Sequence, residues 1–129
     1  MSRSLEVDYM RALQARATAE LQDVRLFRRN TGLVRMQDDR VFRAGIPGQA
    51  DLYALGRGGQ HYEIECKRYG RLGESQERWR DWCLAWGVPW LLLEVRKGEV
   101  EVETIDRWMS ELRAFLEPAN WLTASASRL

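Results

Sequence analysis

The sequence has only one histidine and two cysteines, and each scarcity argues against a class of functional site. With His61 as the single histidine, a histidine-rich zinc site and a mechanism built on a histidine base are both disfavoured. We expect His61 to lie on the surface of a strand. Cys66 and Cys83 lack the close spacing of a metal site, so we expect two reduced, buried thiols, as in a cytosolic protein.

The sequence also lacks a long hydrophobic run. Trp90 to Leu93 is an uninterrupted apolar segment, but a membrane-spanning helix needs about 20 such residues. A segment this short indicates a buried strand instead. Residues 1–4 include a basic residue without the apolar stretch of a secretory signal. We therefore expect no membrane partner.

Length and composition are those of one soluble domain. The chain has 129 residues, of which 45% are hydrophobic and 30% charged. This is enough for a single sheet with helices packed on it. We expect the domain to span residues 1–118, with a motif-bearing core at about 24–95 and a loosely ordered C-terminal tail at 119–129.

The formal net charge is only +1, so total charge does not predict a polyanionic partner. The distribution of charge is uneven: basic residues collect in residues 25–43 and 67–80, and acidic residues in 94–111. A chain divided in this way can present a cationic face to nucleic acid. A mixed, solvated surface is an equally good explanation from charge alone.

Hydrophobic periodicity and turn residues predict an α/β fold. We expect a helix over 5–21, followed by strands at 24–28, 33–36, 41–43, 51–55 and 61–67. A helix from Glu74 or Ser75 to Trp86 leads to a central strand at 90–95. An edge strand at 100–105 and a closing helix from 105 or 106 to 117 complete the order. The strand–helix–strand unit over 61–95 implies a right-handed crossover and some parallel pairing.

The six tryptophans are an unusually large number for this length. Trp79, Trp82 and Trp86 share one stripe of the predicted helix with Cys83. We interpret this stripe, together with Trp90, as core or interface packing rather than as a platform for nucleic-acid bases.

Three charged residues share one face of the predicted strand at 61–67. Side chains alternate along a strand, so Glu63, Glu65 and Lys67 point the same way. The opposite face is apolar, with Tyr62, Ile64 and Cys66. A core strand with such a charged face indicates that this face lines a cleft.

Asp51 begins the neighbouring predicted strand, and the glycine-rich turn at 56–59 places it across from Glu65. Two carboxylates suit Mg²⁺ or Mn²⁺, whose other ligands would be waters, a substrate oxygen and a backbone carbonyl, with that of Cys66 as the candidate. Lys67 could orient or deprotonate a water nucleophile, or offset charge that builds on phosphorus oxygens. The substrate that fits such a site is a phosphodiester.

An isolated Glu-x-Lys is more often an ordinary surface pair that contributes little. Two neighbouring features favour a site instead. Pro47-Gly-x-x-Asp51 precedes the strand at hairpin distance, and Ser75-Gln76 opens a helix after it.

These motifs resemble those of one nuclease family. The segments Asn30-Thr31-Gly32, Gly45-Ile-Pro-Gly-Gln-Ala-Asp51-Leu52, Ile64-Glu65-Cys66-Lys67 and Ser75-Gln76-x-x-Trp79 are similar in order and spacing to the VRR-NUC branch of the PD-(D/E)xK nucleases. The resemblance covers roughly Arg28 to Val95, about the middle half of the chain.

The resemblance implies a restriction-endonuclease-like αβββαβ core with a C-terminal strand and helix appended. Asp51 and Glu65 would be metal ligands, Lys67 the catalytic lysine, and Gln76 a site residue at the helix start. The family also uses an acid of the first helix as a ligand. Glu6 or Glu20 would take that place, and Glu6 fits the usual distance from the Arg-Asn-x-Gly turn better. Cys66 departs from the β-branched residue more usual there, but points away from the site.

Small stand-alone members of this family, often phage-encoded, resemble structure-selective endonucleases that act as dimers on branched DNA. By resemblance we expect a Mg²⁺- or Mn²⁺-dependent DNA endonuclease that acts as a homodimer on substrates such as Holliday junctions, without an organic cofactor. It would work in the cytoplasm of a bacterium or a phage-infected cell. The expected phosphate contacts are Arg28, Arg29, Arg35, Arg43, Arg68 and Arg71. A nuclease for flaps or simple duplex, and a non-catalytic DNA-binding or assembly module, remain as alternatives.

Overall fold

The computed structural model describes residues 3–29 and 32–116, with only the backbone described at 3–6, 32–35 and 42–44. The described part is an α/β structure with a four-stranded mixed sheet flanked by helices. Its elements, in chain order, are α1 (Arg3–Glu20), β1 (Val24–Arg28), β2 (Gly32–Arg35), β3 (Val41–Ala44), β4 (Leu52–Gly56), β5 (His61–Arg68), α2 (Glu74–Ala85), β6 (Trp90–Val95) and α3 (Glu101–Phe115). The predicted turn at 30–31 and tail at 119–129 lie outside the described residues.

The main sheet has the strand order β1-β4-β5-β6, and β2 and β3 form a separate antiparallel hairpin. β4 lies between β1 and β5 and pairs antiparallel with both. β6 lies parallel to β5, and α2 connects the two strands. The predicted strand–helix–strand unit with parallel pairing is therefore confirmed.

The hydrophobic core lies between one face of this sheet and the pair α1 and α3. Leu13 of α1, Ile64 of β5 and Leu112 of α3 are fully buried within it. Each such side chain contributes about 1.5–3 kcal/mol through burial. α2 covers the opposite face, where Trp79 hydrogen-bonds Glu63. The sheet thus places the charged face of β5 beneath α2.

The edge strand predicted at 100–105 is wrong, because α3 begins at Glu101. The apparent alternation came from Val100 and Val102, but both side chains are exposed. The buried residues recur at helical spacing: Thr104, Ile105, Trp108, Met109 and Leu112. The closing helix is therefore longer than expected, and its start follows directly from the turn after β6.

Core packing, one of the two alternatives predicted for the aromatic stripe of α2, is wrong for Trp82 and Trp86, and interface packing stays a prediction. Only Cys83 is buried on this helix. Trp82 and Trp86 are 48% and 72% exposed. α2 meets the sheet around Trp79 and Cys83. The indole rings of Trp82 and Trp86 point away from this contact and are exposed to solvent.

Cys66 and Cys83 are both buried thiols, as predicted. Burial, aided by the nearby charge of Glu63, raises the pKa of the Cys83 thiol to about 11. Among the described helices, none combines the length and apolar character that crossing a membrane requires.

Candidate active site

Asp51 lies at the start of β4, across from Glu65 on β5. The antiparallel register pairs Leu52 with Ile64. Asp51, the residue before Leu52, therefore faces Glu65, the residue after Ile64. Opposed residues in such a pair have Cβ atoms about 4.5–5.5 Å apart. Asp51 is held there by two hydrogen bonds: its Oδ2 accepts from the backbone N–H of Cys66 at 3.3 Å, and its carbonyl accepts from the N–H of Arg29 at 2.8 Å.

Glu65 lies on a strand that is paired on both sides, with Leu92 of β6 as its parallel partner. Its exposed fraction is only 2%. Burying a carboxylate costs free energy unless charge or hydrogen bonds compensate it. The register therefore places a buried carboxylate directly beside the partly exposed one of Asp51.

Lys67 follows two residues later on the same face of β5. Its Nζ donates to Oε1 of Gln76 at 3.3 Å, and the N–H of Gly73 donates to the same oxygen at 2.8 Å. Gln76 stands at the third position of α2, where a side chain commonly satisfies a free N–H at a helix start. One amide therefore both caps α2 and orients the ammonium group of Lys67.

A tight turn over residues 46–49 presses against the beginning of α2. The N–H of Gln49 donates to the carbonyl of Ile46, and Pro47-Gly48 occupies the centre with Gly48 at φ +85°. Pro followed by a residue with positive φ is typical of a type II turn. A Cβ at Gly48 would lie 2.1 Å from the carbonyl oxygen of Ser75. Only glycine permits this approach, which brings the segment leading into Asp51 against the helix that bears Gln76.

Gly48 is a residue whose role the sequence analysis missed. The sequence pattern identifies Pro47-Gly48 only as part of the motif that leads to Asp51 and of the family resemblance. The type II turn was a detectable signal, but the contact with Ser75 depends on two segments far apart in the chain.

Glu63 is the centre of a separate, buried polar cluster. Arg29 donates to both of its oxygens, at 2.6 and 2.8 Å, Trp79 Nε1 donates to Oε1 at 3.0 Å, and His61 Nε2 lies 2.5 Å from Oε2. Burial alone raises the pKa of this carboxyl, but the hydrogen bonds from Arg29 and His61 outweigh it and hold the pKa below its usual value. His61 is half-exposed and stacks on Tyr53.

Two predictions are corrected by this cluster. Glu63 was expected to line the cleft with Glu65 and Lys67, but its side chain is 1% exposed and fully engaged. Arg29 was expected to contact phosphate, but its guanidinium holds Glu63 and the carbonyl of Ala50, and it lies over the ring of Tyr53. The side chains of Arg29 and Glu63 are thus engaged with each other next to the candidate site.

The other predicted phosphate contacts fall into three groups. Arg28 and Arg71 are exposed. Arg68 is partly buried: its Nη2 donates to the hydroxyl of Tyr69 at 3.0 Å and its guanidinium lies over that ring. The side chains of Arg35 and Arg43 lie outside the described part.

The two candidate acids of the first helix lie at opposite ends of α1. Glu20 accepts hydrogen bonds from Arg16 at 2.9 Å and from Arg113 of α3. It comes just before β1, whose Val24 pairs with Gly56, so it lies at the far end of β4, about 17 Å from Asp51 along the strand. α1 and β1 are joined by only three residues, so the helix runs back along the strand. The backbone of Glu6 therefore lies toward the Asp51 end.

Within the described residues, no group of three or more His, Cys, Asp or Glu side chains is arranged to hold a metal ion. The site offers two acidic side chains, Asp51 and Glu65, and does not include Glu20. No family model matches the chain, and neither a curated protein nor a solved structure matches it. A functional assignment therefore depends on the residues of the site.

Proposed function

We propose that this chain is a Mg²⁺- or Mn²⁺-dependent DNA endonuclease. One observation carries the proposal: Asp51 faces Glu65 across two antiparallel strands, and Lys67 follows on the same face of β5. Two carboxylates beside an oriented ammonium group suit the hydrolysis of an anionic ester.

The donor set fits the proposed metal. Carboxylate oxygens are hard ligands, and Mg²⁺ is commonly held by one or two carboxylates together with substrate phosphates and waters. Asp51 and Glu65 would hold the ion, with the Cys66 carbonyl and Glu6 as further candidates. When bound, a divalent cation supplies a Lewis acid that polarises a phosphoryl oxygen and makes a water molecule more acidic.

Lys67 has the most direct role among the protein groups. Its ammonium donates to the oxygens of the scissile phosphate, where negative charge develops during hydrolysis. The hydrogen bond to Gln76 limits the positions of the lysine side chain, so less ordering is required when the substrate arrives. Arg28 and Arg71 are exposed and would contact flanking phosphates.

The element order supports a restriction-endonuclease-like core. If the β2–β3 hairpin is regarded as an insertion, α1, β1, β4, β5, α2 and β6 follow the order αβββαβ. By the resemblance in its motifs, we extend the proposal to the VRR-NUC branch, to a cytoplasmic homodimer and to branched DNA such as Holliday junctions. A dimer supplies the two active sites that symmetric cleavage of a four-way junction requires.

The test is cleavage of a labelled panel of four-way junction, flap, duplex and single-stranded DNA with Mg²⁺ or Mn²⁺. Asp51→Asn, Glu65→Gln and Lys67→Met should each abolish metal-dependent cleavage while circular dichroism stays native. Glu103→Gln, an exposed acid on α3, is the matched control and should cleave normally. Full activity in Asp51→Asn would overturn the site, and the preferred substrate in the panel would decide between junction, flap and duplex.

A non-catalytic DNA-binding or assembly module is the second candidate. It is favoured by the lack of a three-residue acidic or histidine cluster within the described residues. Calorimetric titration with Mn²⁺ separates the two proposals. Binding that Asp51→Asn removes supports the nuclease, and DNA binding without any Mn²⁺ binding supports the module.

A further inference from the structure

An apolar groove lies beside the proposed active site. It has a volume of about 430 Å³ and is lined by Ile46, Pro47, Ser75, Arg78, Trp79 and Trp82. This volume is in the range of pockets that bind small organic groups, about 300–1,000 Å³. Its walls come from the turn before Asp51 and from the first three turns of α2, so it adjoins both segments that carry site residues.

Two stacked indole rings of α2, those of Trp79 and Trp82, line this groove. Their ring centroids are 5.0 Å apart and their planes are inclined by 19°. Trp86 lies beyond the lining residues, with its ring tilted by 33° from that of Trp82 at a centroid distance of 5.9 Å. Trp79 is anchored by its hydrogen bond to Glu63, whereas Trp82 is half-exposed. The aromatic stack therefore has one anchored ring and one half-exposed ring. The exposed ring offers a flat apolar surface to a ligand in solvent.

Among the described residues that line the groove, the one charged side chain is a cation, Arg78. Arg78 is exposed, and its ion pair with Glu74, at 3.0 Å, joins two side chains that are mostly in solvent. Such surface pairs contribute little and exchange readily, so a phosphate can take the place of Glu74. An aromatic wall, an adjacent exposed cation and a nearby site for a phosphodiester are together complementary to a nucleotide.

We propose that this groove binds an unstacked nucleobase of single-stranded DNA, with Trp82 as the stacking surface and Arg78 as the contact to the adjacent phosphate. The proposal rests on the nuclease function and specifies its substrate: DNA in which at least one base near the scissile phosphate is unpaired. Bases of every type can stack on an indole ring, so the groove would recognise an unpaired strand without reading its sequence.

A second copy of this chain is the competing occupant, because exposed apolar patches also mark protein interfaces. The stacked pair of Trp79 and Trp82, the lining cation Arg78 and the contiguity with the Gln76 end of α2 favour a nucleotide. A protein interface would not require an aromatic stack next to a phosphate site.

The test measures binding in EDTA, so that it does not depend on catalysis. Fluorescence anisotropy compares a labelled oligothymidine with an abasic oligonucleotide of equal length, which retains the phosphates but lacks bases. Wild-type protein should prefer oligothymidine, and Trp82→Ala should weaken that binding about tenfold or more while leaving the abasic strand unaffected. Arg78→Ala should weaken both. Leu84→Ala removes an exposed apolar side chain from the same helix outside the groove, and should change neither.

Equal binding of both oligonucleotides by the wild type, or unchanged binding by Trp82→Ala, would overturn the proposal. Light scattering gives a further contradicting outcome. If Trp82→Ala converts a dimer to a monomer and leaves oligothymidine binding intact, the groove holds a second copy of the chain and not a base. The nuclease proposal is judged separately. If the protein prefers oligothymidine but cleaves no DNA, the nuclease proposal is refuted and the base-binding proposal stands. If it cleaves DNA but shows no such preference, the base-binding proposal is refuted and the nuclease proposal stands.

Discussion

Arg29 and Glu63 form a two-point ion pair, with N···O distances of 2.6 and 2.8 Å, in the interior of the sheet face that α2 covers. The same guanidinium donates to the carbonyl of Ala50, the residue before Asp51. The pair therefore joins the end of β1, the segment before β4 and the middle of β5. This ion pair therefore ties together the segments that carry Asp51 and Glu65.

The first prediction concerns this pair. Arg29→Met leaves the buried carboxylate of Glu63 without its main partner and should lower the free energy of unfolding by about 3–5 kcal/mol. Replacing both residues in Arg29→Met/Glu63→Leu should restore much of that loss, because no charge remains buried. Urea denaturation measures both. The control is Arg57→Met, which breaks an exposed pair with Asp23 and should have little effect. Additive losses in the double variant would show that the two residues do not act together.

The second prediction concerns acid stability. A hydrogen bond from Arg107, with further donors from Arg96 and Thr104, lowers the pKa of Glu99 from 4.5 to about 2. Between these values the unfolded chain binds more protons than the folded one, so stability falls as the pH decreases from 4.5 toward 2. Glu99→Gln should be less stable at neutral pH and should lose less on acidification. Thermal melts from pH 7 to pH 2 test this, and parallel curves for the two proteins would contradict it.

The third prediction concerns the contact between Gly48 and Ser75. Gly48→Ala should displace the turn or the start of α2, because its Cβ would lie 2.1 Å from a backbone oxygen. We expect lower stability and loss of cleavage together. Gly58→Ala is the matched control: Gly58 also has a positive φ, but its added Cβ meets nothing within 4 Å. Gly58→Ala should lower the free energy of unfolding only by the strain of the left-handed conformation, about 1–2 kcal/mol, and should retain cleavage. Equal effects of the two substitutions would show that the contact is unimportant.

The fourth prediction distinguishes the two acids of α1. Glu20 is held by Arg16 and Arg113 at the end of the helix away from Asp51. Glu20→Gln should therefore leave Mn²⁺ affinity unchanged. Glu6 lies about 21 Å along the helix from Glu20, toward the Asp51 end. Glu6→Gln should weaken Mn²⁺ binding by about 10- to 100-fold if it completes the site. Isothermal titration measures both affinities, and the opposite ranking would reject the topological assignment.

Local sequence patterns predicted the structure correctly where a single segment of the chain determines it. The strand at 90–95 was predicted with its observed bounds, and the turn at 56–59 correctly placed Asp51 across from Glu65. The edge strand at 100–105 failed because two exposed valines mimicked alternation over a length too short to reveal the helical period. The core alternative for the stripe of α2 failed for a different reason: helical spacing identifies a shared face, but not whether another element covers that face.

The sequence by itself determined which residues share the charged face of β5 and which acid faces them, because side-chain alternation and hairpin register are local properties. Only the tertiary structure decided how that face is divided. Arg29 neutralises Glu63 and withdraws both from the site, while Gly48 admits the contact that brings the segment before Asp51 to the Gln76 end of α2. Burial and charge pairing depend on contacts between segments that are distant in the chain. The residue pattern within one strand therefore cannot predict them.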